Sequence, residues 1–493
     1  MNTRKLAGML VFAVLTGALI VTVSAAPQLT VKWVKNVSQV LGVNEQGKVR
    51  WGQHVTYDFD GDGKKEIIFG TEAIKRVICC NYDGSLRWVW PTLDKEPWAD
   101  MLRPACIADL DLDGKADITF SARSPDAIAS LTWDGKVRFN FVQWKGNTGT
   151  FAGGPIARDF YPDIPGLEIT FGGKYWWAML KQNGEEIWQV DLASDTDFVP
   201  NAYDIDKDGE IEIIVVSRGT AEGLRVFSPK GVEEWRFGGP GVMAGGMWYQ
   251  PTICDINNDG EMEIIVGSAD AAGDQIPTGR MFCLSFYGTE LWRFTLPEDG
   301  SEGKNIRCQA AVGDVNKDGF LEVAFQAGEP GFFYLLDHEG KLIWKKNTST
   351  RVGYGCAMAD VNNDGNLEIL LGTYDKAGGG ILYIWDKDGN EVFEPWNANK
   401  QGYTGAVSIM VPEVCDLEGD GMVDILWNWY TSDNMGYYAA FTTGARINPN
   451  LMTFPRYGAT PDLQGMPQLP VPEAMSLALL ALIPLAIGIR RRE

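Results

Sequence analysis

The feature that most constrains this chain is a short acidic loop that returns eight times. It starts at residues 58, 109, 159, 204, 255, 314, 360 and 416. The eight copies read DFDGDGKKE, DLDLDGKAD, DFYPDIPGLE, DIDKDGEIE, DINNDGEME, DVNKDGFLE, DVNNDGNLE and DLEGDGMVD. The mean step is about 51 residues, close to the length of one propeller blade. Each loop runs directly into an apolar stretch such as EIIFG (66–70), EIIVV (212–216), EIIVG (263–267) or EILLG (368–372). Runs of Ile and Val of that length read as buried strands.

A second signature follows, a turn and then a Trp: NYDGSLRW (81–88), LKQNGEEIW (180–188), FSPKGVEEW (227–235), LSFYGTELW (284–292) and LLDHEGKLIW (335–344). The central Gly marks a hairpin turn. Each unit therefore holds about four strands: one before the acidic loop, one after it, and a hairpin. A lone unit leaves its faces exposed, whereas a radial arrangement buries each sheet against its neighbours and leaves short edges. The expected fold is all-β, an eight-bladed β-propeller of four-stranded antiparallel blades. One further Gly–Trp stretch, VLGVNEQGKVRW (40–51), reads as a hairpin ahead of the first loop, and the signature fades in YYAAFTTGARI (437–447) after the last. The N-terminal strands are expected to complete the C-terminal blade and close the ring. A linear stack would leave two open ends, and the closed form is expected to be a monomer.

Carboxylates at positions 1, 3 and 5 of a tight loop converge on one point, where they repel unless a cation sits among them. A backbone carbonyl at position 7 and a bidentate acid at position 9 then complete a calcium shell, with Gly at position 6 for the sharp turn. The candidate ligands are Asp58, Asp60, Asp62 and Glu66; Asp109, Asp111, Asp113 and Asp117; Asp204, Asp206, Asp208 and Glu212; and Asp255, Asn257, Asp259 and Glu263. The later blades offer Asp314, Asn316, Asp318 and Glu322; Asp360, Asn362, Asp364 and Glu368; and Asp416, Glu418, Asp420 and Asp424. The third loop departs from the pattern, with one extra residue and Tyr161 at position 3. An oxygen-only donor set points to Ca²⁺ rather than zinc or copper. Seven or eight ions are expected.

A formal charge of −22 makes nucleic acid a poor partner. Two histidines, His54 and His338, are too few for a histidine-based cluster. Residues 1–25 have Arg4 and Lys5 before a long apolar run and then small residues, the pattern of a signal peptide cleaved after Ala25; an uncleaved anchor is the other reading. The propeller is assigned to 26–454 and a Pro-rich linker to 455–472. A tail, 473–493, carries an apolar run ending in Arg490, Arg491 and Arg492. Without its charged ends the body carries about −26, and eight calcium ions would lower that to about −10. Eight cysteines in an exported chain permit disulfides, of unreadable connectivity.

The loops and their following strands resemble the FG-GAP/VCBS repeat family, which includes the calcium loops of integrin α propellers. The Gly–Trp hairpins resemble quinoprotein-type propeller repeats. The tail, with Val471-Pro472-Glu473-Ala474 ahead of its apolar run, resembles PEP-CTERM and archaeal sorting signals, with Ala in place of the second Pro. That resemblance implies a sortase-like transpeptidase as partner and a place on the cell surface; a permanent C-terminal membrane anchor is the alternative.

The calcium loops share one face of the ring. The opposite face takes the irregular connections 91–104, 142–155, 239–251, 268–279 and 296–308. Loops on a rigid scaffold are where binding usually resides. Trp98, Arg103, Trp144, Lys145, Trp248, Tyr249, Arg307 and Tyr354 are the candidate contacts for an extracellular glycan or protein ligand. The expected role is a surface recognition, adhesion or structural module. The alternative is a polysaccharide lyase, because calcium propellers of this repeat type resemble the rhamnogalacturonan lyase family, with His54 as the candidate base. A quinoprotein dehydrogenase is a third reading, through the adjacent Cys79 and Cys80. Cys308 and Cys356 lie at similar points of neighbouring blades and are a candidate disulfide.

Overall fold

Each acidic loop joins two antiparallel strands, and the apolar run after it is the second strand of a sheet. The computed structural model describes residues 26–453 apart from loop segments, the longest being 92–99, 143–152, 239–245 and 269–278. The expected leader 1–25, linker 455–472 and tail 473–493 lie outside the described residues. Among the described residues no helix is long and apolar enough to cross a membrane.

In blade 1 the strands run Val55–Tyr57, Glu66–Gly70, Val77–Cys80 and Leu86–Trp90, each paired antiparallel with the next. Blades 3 to 6 repeat that order. Blade 2 gains Asp100–Leu102 against the far end of Asp117–Arg123, and blade 7 gains Met452–Thr453 against Val352–Ala359. Blade 8 is built from Glu413–Cys415, Met422–Tyr430, Gly436–Arg446 and, as its outer strand, Thr30–Asn36. The fold is thus an eight-bladed β-propeller closed by its N-terminal strand. First strands of neighbouring blades touch, as Ile156–Arg158 touches both Cys106–Ala108 and Asn201–Tyr203, so that edge of the sheet lines the axis.

Strand periodicity explains the packing. Side chains alternate between faces, so Ile67 and Phe69 pack toward blade 8 while Ile68 packs toward blade 2. Second and third strands are buried on both faces, which is why they read as continuous apolar runs. Each fully buried Ile or Phe there contributes roughly 1.5–3 kcal/mol. The outer strands add a latch. The Trp292 ring lies where a Cβ on Gly340 of the next blade would approach within 2.6 Å, and its Nε1–H donates to the His338 carbonyl at 2.8 Å. Trp88 over Gly135, Trp188 over Gly231 and Trp235 over Gly288 repeat the arrangement.

Two expectations are corrected. The described residues of 40–51 contain no hairpin strand: Val37–Leu41 is a short helix, capped by Asn36 and ended by Gly42 at φ +68°. The outer edge of blade 8 is already taken by Thr30–Asn36, so no edge is left for another strand, and Val37 and Leu41 instead fill the seam between blades 8 and 1. The eight cysteines are buried free thiols. Cys308 Sγ accepts the Gln326 N–H at 3.2 Å and Cys356 Sγ meets the Ala324 carbonyl at 3.5 Å, so each thiol is turned to backbone. Cys79 and Cys80 point to opposite faces of their strand and enter different interblade clusters, which removes the structural basis for a vicinal pair.

Candidate functional site

The eight loops lie on one face and adjoin one another. The Lys65 N–H of loop 1 donates to the Leu417 carbonyl of loop 8, and Leu167 and Leu321 make the equivalent bond to Leu110 and Ile256 of the preceding blade, all at 2.8–3.0 Å. Within each loop the backbone fixes the acids. The position-1 carboxylate accepts the position-6 glycine N–H: Asp58 from Gly63, Asp109 from Gly114, Asp204 from Gly209, Asp255 from Gly260, Asp314 from Gly319, Asp360 from Gly365 and Asp416 from Gly421, at 2.7–3.1 Å. One oxygen of the position-9 acid accepts the N–H of position 2, at 2.9 Å for Glu66, Glu212, Glu263, Glu322 and Glu368. Position 6 has a left-handed backbone, for example φ +85° at Gly63, which glycine adopts without strain.

These bonds leave the remaining carboxylate oxygens gathered. Asp58, Asp60 and Asp62 each place an oxygen within 4.8 Å of the others, as do Asp109, Asp111 and Asp113, and Asp204, Asp206 and Glu212. The position-9 acids are nearly fully buried. Burial, reinforced by the neighbouring aspartates, pushes Glu212, Glu263 and Glu322 up to about 7 and Glu368 up to about 8. A cation at the same point would hold them ionised. An oxygen-only cluster of this geometry fits Ca²⁺.

The loops differ in what already touches positions 3 and 9. In blade 1, Arg87 of the outer strand donates to Asp60 at 2.8 Å and Glu66 at 2.5 Å. In blade 2, Arg138 bridges Asp111 at 3.0 Å and Asp117 at 2.8 Å. In blade 8, Lys32 bridges Glu418 at 2.9 Å and Asp424 at 2.8 Å. In blades 6 and 7 a neutral amide reaches the acids: Asn316 Nδ2 donates to Asp318 and Glu322, and Asn362 Nδ2 to Asp364 and Glu368, at 2.8–3.2 Å. The Asn257 Oδ1 accepts the Asp259 N–H at 3.0 Å. In loop 3, Tyr161 turns away: its hydroxyl donates to the Pro229 carbonyl at 2.7 Å and accepts from Trp188 Nε1 at 3.1 Å. Glu168 is fully buried there, with Oε1 lacking a hydrogen-bond partner and burial pushing its carboxyl up to about 7. Sequence reasoning missed the outer-strand cations, although their signal is plain in retrospect: each is the residue just before the outer-strand aromatic, Trp33, Trp88 or Phe139.

Of the residues expected on the opposite face, Trp98, Arg103, Trp144, Lys145, Trp248 and Arg307 lie outside the described residues, as does the Tyr354 side chain. Tyr249 is buried in an interblade cluster. His54 is 4% exposed, at the seam between blades 1 and 8. Its Nε2 faces Glu413 Oε2 at 3.8 Å, and neither atom has a hydrogen-bond partner. The other Glu413 oxygen accepts from the Thr56 hydroxyl at 2.6 Å. Burial lowers the His54 pKa against the pull of Glu413 and a backbone bond to Leu426. The arrangement locks a seam and gives a polysaccharide no access to the imidazole.

Comparisons with known proteins agree with the fold. The model of the FG-GAP-like repeat matches residues 204–266 and 360–427, so the chain carries FG-GAP-like repeats. No curated protein matches the chain in sequence. Among solved structures, the V. cholerae biofilm matrix protein Bap1 is similar at 14% identity and TM-score 0.60, covering 86% of this chain and 92% of that one. The quinohemoprotein alcohol dehydrogenase of Comamonas testosteroni is similar at 12% identity and TM-score 0.58, with 85% and 77% covered. The rhamnogalacturonan lyase of Bacillus licheniformis is similar at 15% identity and TM-score 0.50, with 82% and 73% covered. At these identities the likeness is one of fold.

Proposed function

We propose that this protein is an exported, surface-retained β-propeller whose acidic loops hold calcium and whose role is recognition, adhesion or structural support outside the cell. The observation that carries the calcium reading is the loop face itself. Seven loops repeat one backbone-fixed arrangement of oxygens, each with a nearly buried acid at position 9. Asp58, Asp60, Asp62 and Glu66, with their counterparts in blades 2 and 4 to 8, would hold the ions. Bound calcium supplies the positive charge that holds these carboxylates together; the chain's own part is to place the oxygens and bury the position-9 acid. Export and retention rest on the leader and the tail in the sequence. The matrix role of Bap1, a protein of the same fold, supports an extracellular module with a glycan or protein partner.

The tests are direct. Metal analysis of the purified chain at millimolar calcium supply is expected to find several bound ions, and chelation with EGTA to lower Tm. Absence of calcium and a Tm unmoved by EGTA overturn the calcium reading. Binding on a glycan array supports recognition. An unsaturated product, read as new ultraviolet absorbance on acidic polysaccharides, would replace that role with a lyase, the reading that the fold of the B. licheniformis enzyme keeps as the alternative.

A further inference from the structure

The acidic loops share one backbone arrangement. Here the outer strand divides them. In blades 8, 1, 2 and 4 the residue before the outer-strand aromatic lies beside the acidic loop of its own blade. Going round the ring from blade 8 to blade 6 that residue is Lys32, Arg87, Arg138, Ile187, Glu234, Leu291 and Ile343, while the outer strand of blade 7 is the two-residue Trp396–Asn397. The three cations fall on three adjacent blades, 8, 1 and 2, and each bridges the acids at positions 3 and 9 of its own loop. Blades 3, 5 and 6 carry an aliphatic side chain there and blade 4 a further acid. Glu234 is exposed beside Asp206 and Asp208, which act with burial to raise its pKa. Leu291 and Ile343 are exposed apolar side chains.

We propose that the calcium demand of this propeller is uneven: loops 8, 1 and 2 are neutralised by Lys32, Arg87 and Arg138 and bind calcium weakly, while loops 4 to 7 are the tight sites. The inference rests on the calcium reading above and assigns that reading to particular blades. A calcium ion needs the same oxygens at positions 3 and 9 that the guanidinium or ammonium already holds. Binding there either displaces a half-buried cation from its acids or places a divalent charge next to it. Among the described residues, no cation bridges positions 3 and 9 of loops 4 to 7. The Asn316 and Asn362 amides of loops 6 and 7 are neutral and leave those loops short of positive charge. Loop 3, with Tyr161 engaged at Pro229, lacks the position-3 ligand and stands outside both groups. The division gives the closure seam an internal lock. Docking of the N-terminal strand delivers Lys32 to loop 8, so the strand that closes the ring is held in blade 8 without waiting for metal.

The experiment is calcium titration of the chelated full chain by calorimetry, with metal counting after gel filtration. Four tight ions are expected, with any others at least about tenfold weaker. Two swaps test the cause. Arg87→Leu is expected to raise the tight count by one, and Glu234→Arg, at an exposed position, to lower it by one. Seven or eight equivalent ions, with a count that neither swap changes, overturn the division and leave the calcium reading intact. No bound ion in any variant overturns the calcium reading itself. If Arg87→Leu does not fold, Glu234→Arg decides: a count of three supports the division and a count of four overturns it.

Discussion

Lys32 Nζ lies 2.8 Å from Asp424 Oδ1, joining residues 392 positions apart across the last blade. The Asp424 side chain is fully buried and the Lys32 side chain is 16% exposed. Lys32 also holds Glu418, and its pKa is raised by these two acids despite burial. Burial nevertheless pushes the Asp424 carboxyl up, so the pair is kept ionised at a cost. Removing one partner of such a buried pair leaves an uncompensated charge, typically worth about 3 kcal/mol. Lys32→Met is therefore expected to lower stability by about 2–3 kcal/mol in EGTA, read by urea denaturation. The loss should shrink at millimolar calcium, because an ion then takes over the acids of loop 8.

One contact across the seam between blades 1 and 8 is expected to respond to acid. His54 has a pKa below its ordinary value of 6.5 because it is buried. The unfolded chain therefore takes up the proton first as pH falls. Stability from neutral His54 is present above pH 6.5 and declines below it, by at most about 1.4 kcal/mol per pH unit. Glu413 faces the ring, and Cys415, whose thiol burial pushes up to about 12, stays neutral throughout. At saturating calcium, the Tm of the wild type is expected to fall between pH 7.5 and 5.5 more steeply than that of His54→Gln. Parallel profiles would show that His54 does not titrate on unfolding.

Legibility in the sequence followed the length scale of each interaction. The blade count and the strand order were readable because each blade repeats a local pattern, a tight acidic loop and then a run of β-branched residues such as Glu212–Val216. Ring closure was readable from a missing outer strand after Tyr437. The helix at Val37–Leu41 was not, because the Gly47 to Trp51 spacing imitates a hairpin and only the occupied edge of blade 8 excludes one. The three internal cations were hidden for a related reason. Arg87 is 21 residues from Glu66 and Lys32 is 392 from Asp424, so their meeting depends on the sheet order rather than on neighbours in the chain.

Two glycines with similar backbone angles separate conformational strain from packing. Gly63 has φ +85° with nothing within 4 Å of a would-be Cβ, whereas Gly340 has φ +77° with Trp292 Cε3 at 2.6 Å. Gly63→Ala is expected to cost about 1 kcal/mol through the left-handed backbone alone. Gly340→Ala adds an overpacking penalty of about 1–3 kcal/mol as Trp292 is pushed off the turn of the next blade. Urea denaturation of both variants, with Trp fluorescence, checks the difference; equal losses would show that the Trp latch yields freely.

Tyr161 offers the converse test, a loop residue whose role is packing. Its hydroxyl donates to the Pro229 carbonyl and accepts from Trp188 Nε1, tying loop 3 to the hairpin of blade 4. Trp188 Nε1 also reaches Pro229 directly at 2.8 Å, so Tyr161→Phe leaves neither Trp188 nor Pro229 without a partner. The expected loss is therefore that of one ordinary hydrogen bond, about 1 kcal/mol. The calcium count should not change, since the hydroxyl is engaged by the Pro229 carbonyl and Trp188 Nε1. A drop in bound calcium in Tyr161→Phe would place the phenol among the ligands and return loop 3 to the set of metal sites.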